Sequence, residues 1–248
     1  MDLEICIDSV ESAIAAANGG AERVELCSGL SEGGITPSAG LINAVRSAVT
    51  IQLFVIIRPR GGNFVYSDLE LDVMRNDILE AKARGADGVV LGVLTRNDAV
   101  DIVRTRELVE FARPLQVTFH RAFDVCQDGD CAFEDVIACG ADRLLTSGGK
   151  SDAIKGMSAI AHLRQRAANR IRIMAGGGLR VANVRDVVIH TGIREVHTSL
   201  SANAKCATSD GGAGIHTFHS GFTPFVVSEA DVRAFKAVLN EISAESVA

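Results

Sequence analysis

Short apolar segments alternate with amphipathic segments about eight times along the chain. The apolar segments are rich in Val, Ile and Leu, as is typical of buried parallel strands. They predict strands over residues 3–7, 23–27, 52–57, 88–92, 116–120, 143–146, 172–175 and 195–198. Eight strand–helix units in 248 residues predict an α/β fold, a single (β/α)8 barrel of the TIM type with parallel strands. An open doubly wound sheet would have fewer strands and a Gly-rich first turn, which this chain lacks.

Polar residues mark the expected starts of several helices. Ser67 followed by Glu70 is a capping-box pattern, and Asp8 followed by Glu11 is a similar start signal. No linker or shift in composition divides the chain, so we expect one barrel domain over residues 1–248. Residues 201–224, which contain Gly, His and Ser, are expected to form a long loop before the last helix, as a lid or a subunit contact.

Composition narrows the classes of function. The net charge of −6 and the absence of Trp argue against a nucleic-acid partner. No apolar run reaches the length of a membrane span, and the first residues lack the basic region of a signal peptide. We therefore expect a cytoplasmic protein with no membrane partner. Its six cysteines form no CxxC pair and are expected to be thiols in a reducing compartment.

Ionisable residues end several predicted strands. In a barrel of this type the active site lies at the carboxyl ends of the strands, so these side chains are expected to converge there. His120 is a candidate for proton exchange near neutral pH, with Glu25 or Asp124 as its partner. His197 is an alternative proton carrier. The structural alternative is a buried charge network that holds the strands in register, formed by Glu4, Glu25, Arg58 and His120.

Arginines and glycines at other strand ends indicate a small anion. Arg58 and Arg60 follow the third strand, and arginine binds carboxylates and phosphates in a bidentate way. The residues Gly176, Gly177 and Gly178 follow the seventh strand, where barrels often bind phosphate. The alternative is that these glycines only make tight turns. Neither a GxGxxG nor a Walker loop is present, so no nucleotide cofactor is indicated.

Two cysteines suggest a different ligand. Cys6 and Cys27 end neighbouring strands with the same inward parity, and adjacent strands are about 4.8 Å apart. Two thiolates at this distance form a candidate site for one soft cation such as Cu(I). No further cysteines are nearby to complete a structural zinc site. The alternative is a pair of buried apolar thiols.

Up to about residue 200, the chain resembles the CutC family of copper homeostasis proteins. The resemblance is carried by motifs that span most of the strand ends: Leu3-Glu4-Ile5-Cys6, Val24-Glu25-Leu26-Cys27, Gly33-Gly34-Ile35-Thr36-Pro37-Ser38, Ile57-Arg58-Pro59-Arg60-Gly61-Gly62, Thr118-Phe119-His120-Arg121-Ala122-Phe123-Asp124, Leu145-Thr146-Ser147-Gly148 and Glu195-Val196-His197-Thr198-Ser199.

The resemblance implies a cytoplasmic (β/α)8 barrel that forms a homo-oligomer, with a dimer favoured. It also implies a role in copper tolerance, with Cu(I) bound at the motifs that hold Cys6 and Cys27. Two hypotheses therefore stand at this point. One is a Cu(I)-binding homeostasis protein, and the other is an enzyme that acts on a small phosphorylated or carboxylated substrate at the barrel mouth. A two-thiolate site does not require Arg58, His120 and Asp124, which the second hypothesis explains better.

Overall fold

The computed structural model describes residues 1–203 and 225–245, apart from the side chains of residues 201–203 and 225. Eight parallel strands pair in chain order and close into a barrel, because β8 pairs with β1. The predicted (β/α)8 fold is thus confirmed. The strands are β1 (Asp2–Ile7), β2 (Arg23–Leu26), β3 (Gln52–Ile56), β4 (Gly88–Leu91), β5 (Gln116–Phe119), β6 (Arg143–Thr146), β7 (Arg172–Gly176) and β8 (Glu195–Thr198).

Helices follow the strands and cover the outside of the barrel. They are α1 (Val10–Asn18), α2 (Ala39–Ala48), α3 (Asp68–Ala83), α4 (Ile102–Ala112), α5 (Gly129–Ala138), α6 (Met157–Ala167), α7 (Val184–Thr191) and α8 (Glu229–Glu245). Short 3-10 turns lie at Leu30–Glu32 and Arg121–Val125. The capping box of Ser67 and Glu70 is confirmed at the start of α3. The start signal at Asp8 is wrong by one residue, because the Ser9 hydroxyl accepts from the Ser12 N–H and caps α1.

Strand residues alternate between two cores. Leu3, Ile5 and Ile7 point outward and are buried under the helices, in the same cluster as Phe235 of α8. Inside the barrel, Phe54 is fully buried beside a small apolar group. A Cβ at Gly88 would lie 2.5 Å from the Phe54 ring, so the interior leaves room there only for glycine. Every second strand residue therefore faces inward. At the carboxyl ends of the strands, these inward residues are the polar ones noted in the sequence.

The predicted loop 201–224 begins with a strand. Residues Ser201–Asn203 (β9) pair antiparallel with Phe225–Val227 (β10). The rest of the predicted loop, residues 204–224, lies outside the described residues. Within the described chain, none of the helices combines the length and the apolar character needed to cross a bilayer.

Candidate functional site

A cavity of about 390 Å³ opens at the carboxyl ends of the strands. It receives side chains from the ends of most strands and from the loops that follow them. Its described lining includes Cys6, Glu25, Cys27, Leu30, Ile56, Arg58, Phe64, His120, Arg121, Leu145, Gly177, Gly178, Arg180, His197 and Ser199. A larger groove of about 900 Å³ lies at the opposite end, around residues that precede strands β7 and β8. The chemistry-bearing strand ends converge in the smaller cavity, as expected for this fold.

Cys6 and Cys27 lie side by side in one wall of the cavity. Their Sγ atoms are 3.7 Å apart, within thiol hydrogen-bond distance. Cys6 and Glu25 are register partners on β1 and β2, so Glu25 completes the group. One ligating atom from each of the three residues lies within 4.8 Å of the other two. The structure therefore brings together both sequence-predicted cysteines and one predicted carboxylate.

The two thiols differ in acidity. The hydrogen bond to Cys27 lowers the pKa of Cys6 to about 6, although burial opposes this shift. The same hydrogen bond, together with burial, raises the pKa of Cys27 well above its usual value. Burial raises the pKa of Glu25, and the adjacent Cys6 charge raises it further. The cluster thus holds one thiolate and one thiol near neutral pH, and it favours the protonated form of Glu25.

His197 joins the thiol cluster to the barrel interior. Its Nδ1 lies 2.7 Å from Glu4 Oε1, and its Nε2 lies 3.7 Å from Glu25 Oε2. Burial alone would lower the pKa of His197, but its contacts with Cys6, Glu4 and Glu25 raise it well above the usual value. Burial also opposes ionisation of Glu4, yet the charge of Arg23 lowers the Glu4 pKa to about 2. His197 is therefore a charged partner of both the thiolate and the buried carboxylate.

A charge network fills the barrel below the cavity. Arg23 bonds both Glu4 and Glu195, and Arg143 bonds Glu195 at 2.5 Å. All four side chains are buried. Two guanidinium groups balance two carboxylates, as buried charges require. Of the four residues expected in such a network, Glu4 belongs to it, Glu25 lies next to it across His197, and Arg58 and His120 lie outside it.

The guanidinium of Arg58 is buried and bonds only carbonyl oxygens among the described residues. Its Nη1 donates to Glu32 O and Gly34 O, and its Nη2 donates to Gly62 O. Its Nε has no hydrogen-bond partner in that part of the chain. Within the described part of the chain, Arg58 therefore brings to the cavity wall a positive charge that no carboxylate pairs with.

His120 is held beside Arg58 by the Phe64 ring, which lies 4.9 Å from the imidazole and 5.1 Å from the Arg58 guanidinium carbon. Its Nδ1 accepts the Ala122 N–H at 3.2 Å. Burial and the charge of Arg58 lower the pKa of His120 to about 3. The imidazole is therefore neutral at physiological pH.

Two predicted residues lie away from the cavity lining. The Asp124 carboxylate accepts hydrogen bonds from Arg121, Thr146 and Ser147, and it fixes the Arg121 side chain. Arg60 bonds Glu70 at 2.5 Å and the Val65 carbonyl at 2.8 Å. Both side chains are therefore engaged in hydrogen bonds within the loops.

The predicted glycine loop is split between two environments. Gly176 is buried at the end of β7, where a Cβ would lie 2.6 Å from the Leu145 side chain. Gly177 and Gly178 line the cavity with φ of 99° and 72°, values that favour glycine. Two cavity arginines, Arg121 and Arg180, are absent from the sequence-predicted anion site. Only their position in the sequence could have indicated this role, since each arginine follows the end of a strand within a few residues.

Comparison with known proteins places these residues in one family. The model of the CutC family matches residues 1–202, which include every described residue that lines the cavity. A relative from Chromobacterium violaceum, named family protein CutC, is 43% identical over 242 residues, or 96% of this chain and 98% of its own. A Mus musculus relative, named copper homeostasis protein cutC homolog, is 43% identical over 244 residues, or 97% of this chain and 90% of its own.

A solved structure shows the same fold. The crystal structure of CutC from Streptococcus agalactiae superposes with a TM-score of 0.76 at 36% sequence identity. The superposition covers 80% of this chain and 98% of that chain.

Proposed function

This chain belongs to the CutC family, and we propose that it acts in copper homeostasis by binding Cu(I) between the thiols of Cys6 and Cys27. The observation that carries the proposal is the pair of sulfur atoms 3.7 Å apart in the cavity wall. Thiolate sulfur is the soft ligand that selects Cu(I) among available metals. The names of two relatives, both called copper homeostasis protein cutC homolog, also support a role in copper homeostasis.

The donor set fits a soft cation. With metal–sulfur bonds of about 2.3 Å, as at zinc sites, two sulfur atoms at this spacing reach one ion without any movement of the strands. The low pKa of Cys6 supplies one thiolate near neutral pH. Binding of a cation displaces the remaining proton from Cys27. Glu25 offers a carboxylate oxygen within 4.8 Å of both sulfur atoms.

We also propose that the chain works in the cytoplasm as a single barrel domain over residues 1–248. The five cysteines in the described part of the chain are free thiols, which supports a reducing compartment. A thiol pair that binds Cu(I) has to remain reduced, so this location suits the proposed function.

A test in cells separates copper handling from other roles of the cavity. In cells that lack their own copy, we expect the Cys6→Ser and Cys27→Ser variants to fail to restore copper tolerance, because each removes one sulfur ligand. The His120→Ala variant is expected to restore tolerance fully, since His120 is not part of the thiol cluster. Growth at increasing copper concentrations measures the effect. Restoration of tolerance by both cysteine variants would contradict the proposal.

A second function is favoured by the Arg58 environment. A buried guanidinium without a carboxylate partner among the described residues is a costly arrangement, which a bound anion would relieve. We propose that the cavity also acts on a small anionic substrate, phosphorylated or carboxylated. Arg58 would attract the anion by its charge, and the backbone of Gly177 and Gly178, the part of the predicted loop Gly176–Gly178 that lines the cavity, would bind it.

In this second function, Glu25 is the group that exchanges a proton with the substrate, and His120 orients the substrate through a hydrogen bond. Glu25 is favoured in its protonated form and His120 is neutral, so the pair offers an acid and a hydrogen-bonding imidazole. Asp124 contributes by holding Arg121. Arg60 donates a hydrogen bond to Glu70 and so fixes the loop after β3 against the start of α3. Copper binding and catalysis are separable by mutation of the cysteines, because the proposed catalysis uses neither of the two sulfur atoms.

We propose that the protein forms a homodimer through helices α3 and α4. The apolar side chains of Leu69 and Val103 are 78% and 67% exposed on these two adjacent helices. Exposed apolar side chains on two adjacent helices offer a candidate surface for association.

The dimer is tested by light scattering of the purified protein. We expect the wild-type chain to have roughly twice the mass of one 26.1 kDa chain. A variant with both Leu69→Lys and Val103→Lys is expected to have the mass of a single chain. The control is Ile189→Lys, which changes a similarly exposed residue on α7. A double variant that keeps the wild-type mass would exclude this surface.

A further inference from the structure

We propose that the cavity binds a small organic phosphate, whose phosphate group contacts Arg121, Arg180 and the Gly177–Gly178 backbone and whose uncharged oxygen accepts a hydrogen bond from His120 Nε2. The inference rests on the second function proposed above and names its ligand class. It is independent of the Cu(I) site, because it uses neither sulfur atom. The groups involved line the same cavity of about 390 Å³, which suits a small molecule.

The phosphate end is formed around the glycine loop after β7. A Cβ at Gly177 would lie 3.2 Å from Arg121 Nη1, so the guanidinium approaches the bare backbone closely. Asp124 and Ser147 hold Arg121 through its Nε and Nη2, at 2.7 Å and 2.8 Å. Among the described residues its Nη1 has no hydrogen-bond partner. One edge of a fixed guanidinium therefore faces the loop where barrels commonly bind phosphate.

Arg180 supplies a second cation at the same loop. Its Nη1 donates to Leu179 O and Thr198 Oγ1, which fixes the head of the side chain. Its Nε and Nη2 make no hydrogen bond within residues 1–203 and 225–245. Two guanidinium groups beside two glycine amides match the several oxygens and the double charge of a phosphate.

His120 provides the contact for the uncharged end of the ligand. This side chain is only 5% exposed, yet its Nε2 lacks a partner in the described part of the chain. Because Nδ1 accepts the Ala122 N–H, a neutral ring carries its hydrogen on Nε2. A Cβ at Gly92 would lie 2.7 Å from Nδ1, so the ring is closely packed in this orientation. A buried donor of this kind is costly unless a ligand oxygen accepts its hydrogen.

The charge of the cavity also favours an anion. Arg58 has no carboxylate partner among the described residues, and its guanidinium is buried beside Phe64. The cavity lining also includes the apolar side chains of Leu30, Ile56 and Leu145. The expected ligand is thus a phosphate group on a short carbon chain that carries a hydroxyl or carbonyl oxygen.

The test is calorimetric titration of the reduced, metal-free protein with glycerol 3-phosphate, inorganic phosphate and glycerate. We expect glycerol 3-phosphate to bind more tightly than inorganic phosphate, because only the former reaches His120. Arg180→Gln and Arg121→Gln are each expected to weaken both phosphate probes by about 10-fold or more, as for hydrogen bonds to charged groups. His120→Phe is expected to weaken glycerol 3-phosphate alone, by about 2- to 10-fold.

The matched control is Arg194→Gln, which removes the same charge at the opposite end of the barrel and should leave every affinity unchanged. Arg180 is exposed, so its variant remains informative if the Arg121 variant fails to fold. Absence of phosphate binding to the wild-type protein would overturn the inference, as would unchanged affinity in Arg180→Gln. Binding of glycerate alone would overturn the phosphate assignment and leave the anionic-substrate function standing. Binding of none of the probes would count against both.

Discussion

Replacing Arg143 by Met is expected to lower the free energy of unfolding by about 3–5 kcal/mol, the typical cost of breaking a buried ion pair. Arg143 bonds Glu195 inside the barrel, and both side chains are buried. Removal of the guanidinium leaves the Glu195 carboxylate with Arg23 at 2.8 Å and Arg172 at 3.9 Å as its cationic partners among the described residues. The charge balance of the interior is then lost, because the largely buried Glu195 carboxylate loses the hydrogen bonds that Arg143 donates.

Urea denaturation followed by circular dichroism measures the loss. The control is Arg233→Met, which removes an exposed ion pair with Glu229 and is expected to cost less than about 1 kcal/mol. Adding Glu195→Gln to Arg143→Met is expected to recover part of the stability, because the orphaned charge is removed. Equal, small losses in Arg143→Met and Arg233→Met would show that the network contributes little.

The fold was predictable because its signal is periodic. Inward and outward positions alternate along each strand, so eight short apolar runs with helices between them define the barrel. The ends of elements were less predictable. Asp8 and Ser9 are both good capping residues, and only the backbone conformation, extended at Ser9, decides which of them starts α1.

The thiol cluster was also predictable from strand parity. Cys6 and Cys27 share an inward parity on neighbouring strands, and the register then places Glu25 beside Cys6. Arg23 has the same parity as Glu25, yet its role in the interior network depends on Arg143, whose strand is far away in the sequence.

The loops could not be predicted in the same way, because no period fixes where their side chains point. Arg58 and Arg60 are two residues apart, but Arg58 lines the cavity and Arg60 bonds Glu70. Arg180 lines the cavity because the preceding loop turns at Gly177 and Gly178, which have positive φ.

Replacing both Cys6 and Cys27 by Ser is expected to abolish Cu(I) binding at the cavity. Serine keeps the size of the side chain and its hydrogen bonding, but its hard oxygen is a poor ligand for Cu(I). The loss should be well over the ~100-fold that removal of an outer-shell partner typically causes. The barrel should stay folded, because the two thiols are not part of the buried charge network.

Cys139→Ser is the matched control for this change. Cys139 is as buried as Cys27, but its thiol lies near the Ile102 carbonyl, outside the cavity lining. This variant is therefore expected to bind Cu(I) with the wild-type affinity.

The most direct measurement is an anaerobic titration of Cu(I) into the reduced protein in competition with a chelator. The wild-type chain and Cys139→Ser are expected to bind one Cu(I) per chain, and the Cys6→Ser/Cys27→Ser variant is expected to leave the metal with the chelator. Tight one-to-one binding that survives in the double variant would contradict the thiol site, and so would a wild-type protein that leaves all the Cu(I) with the chelator.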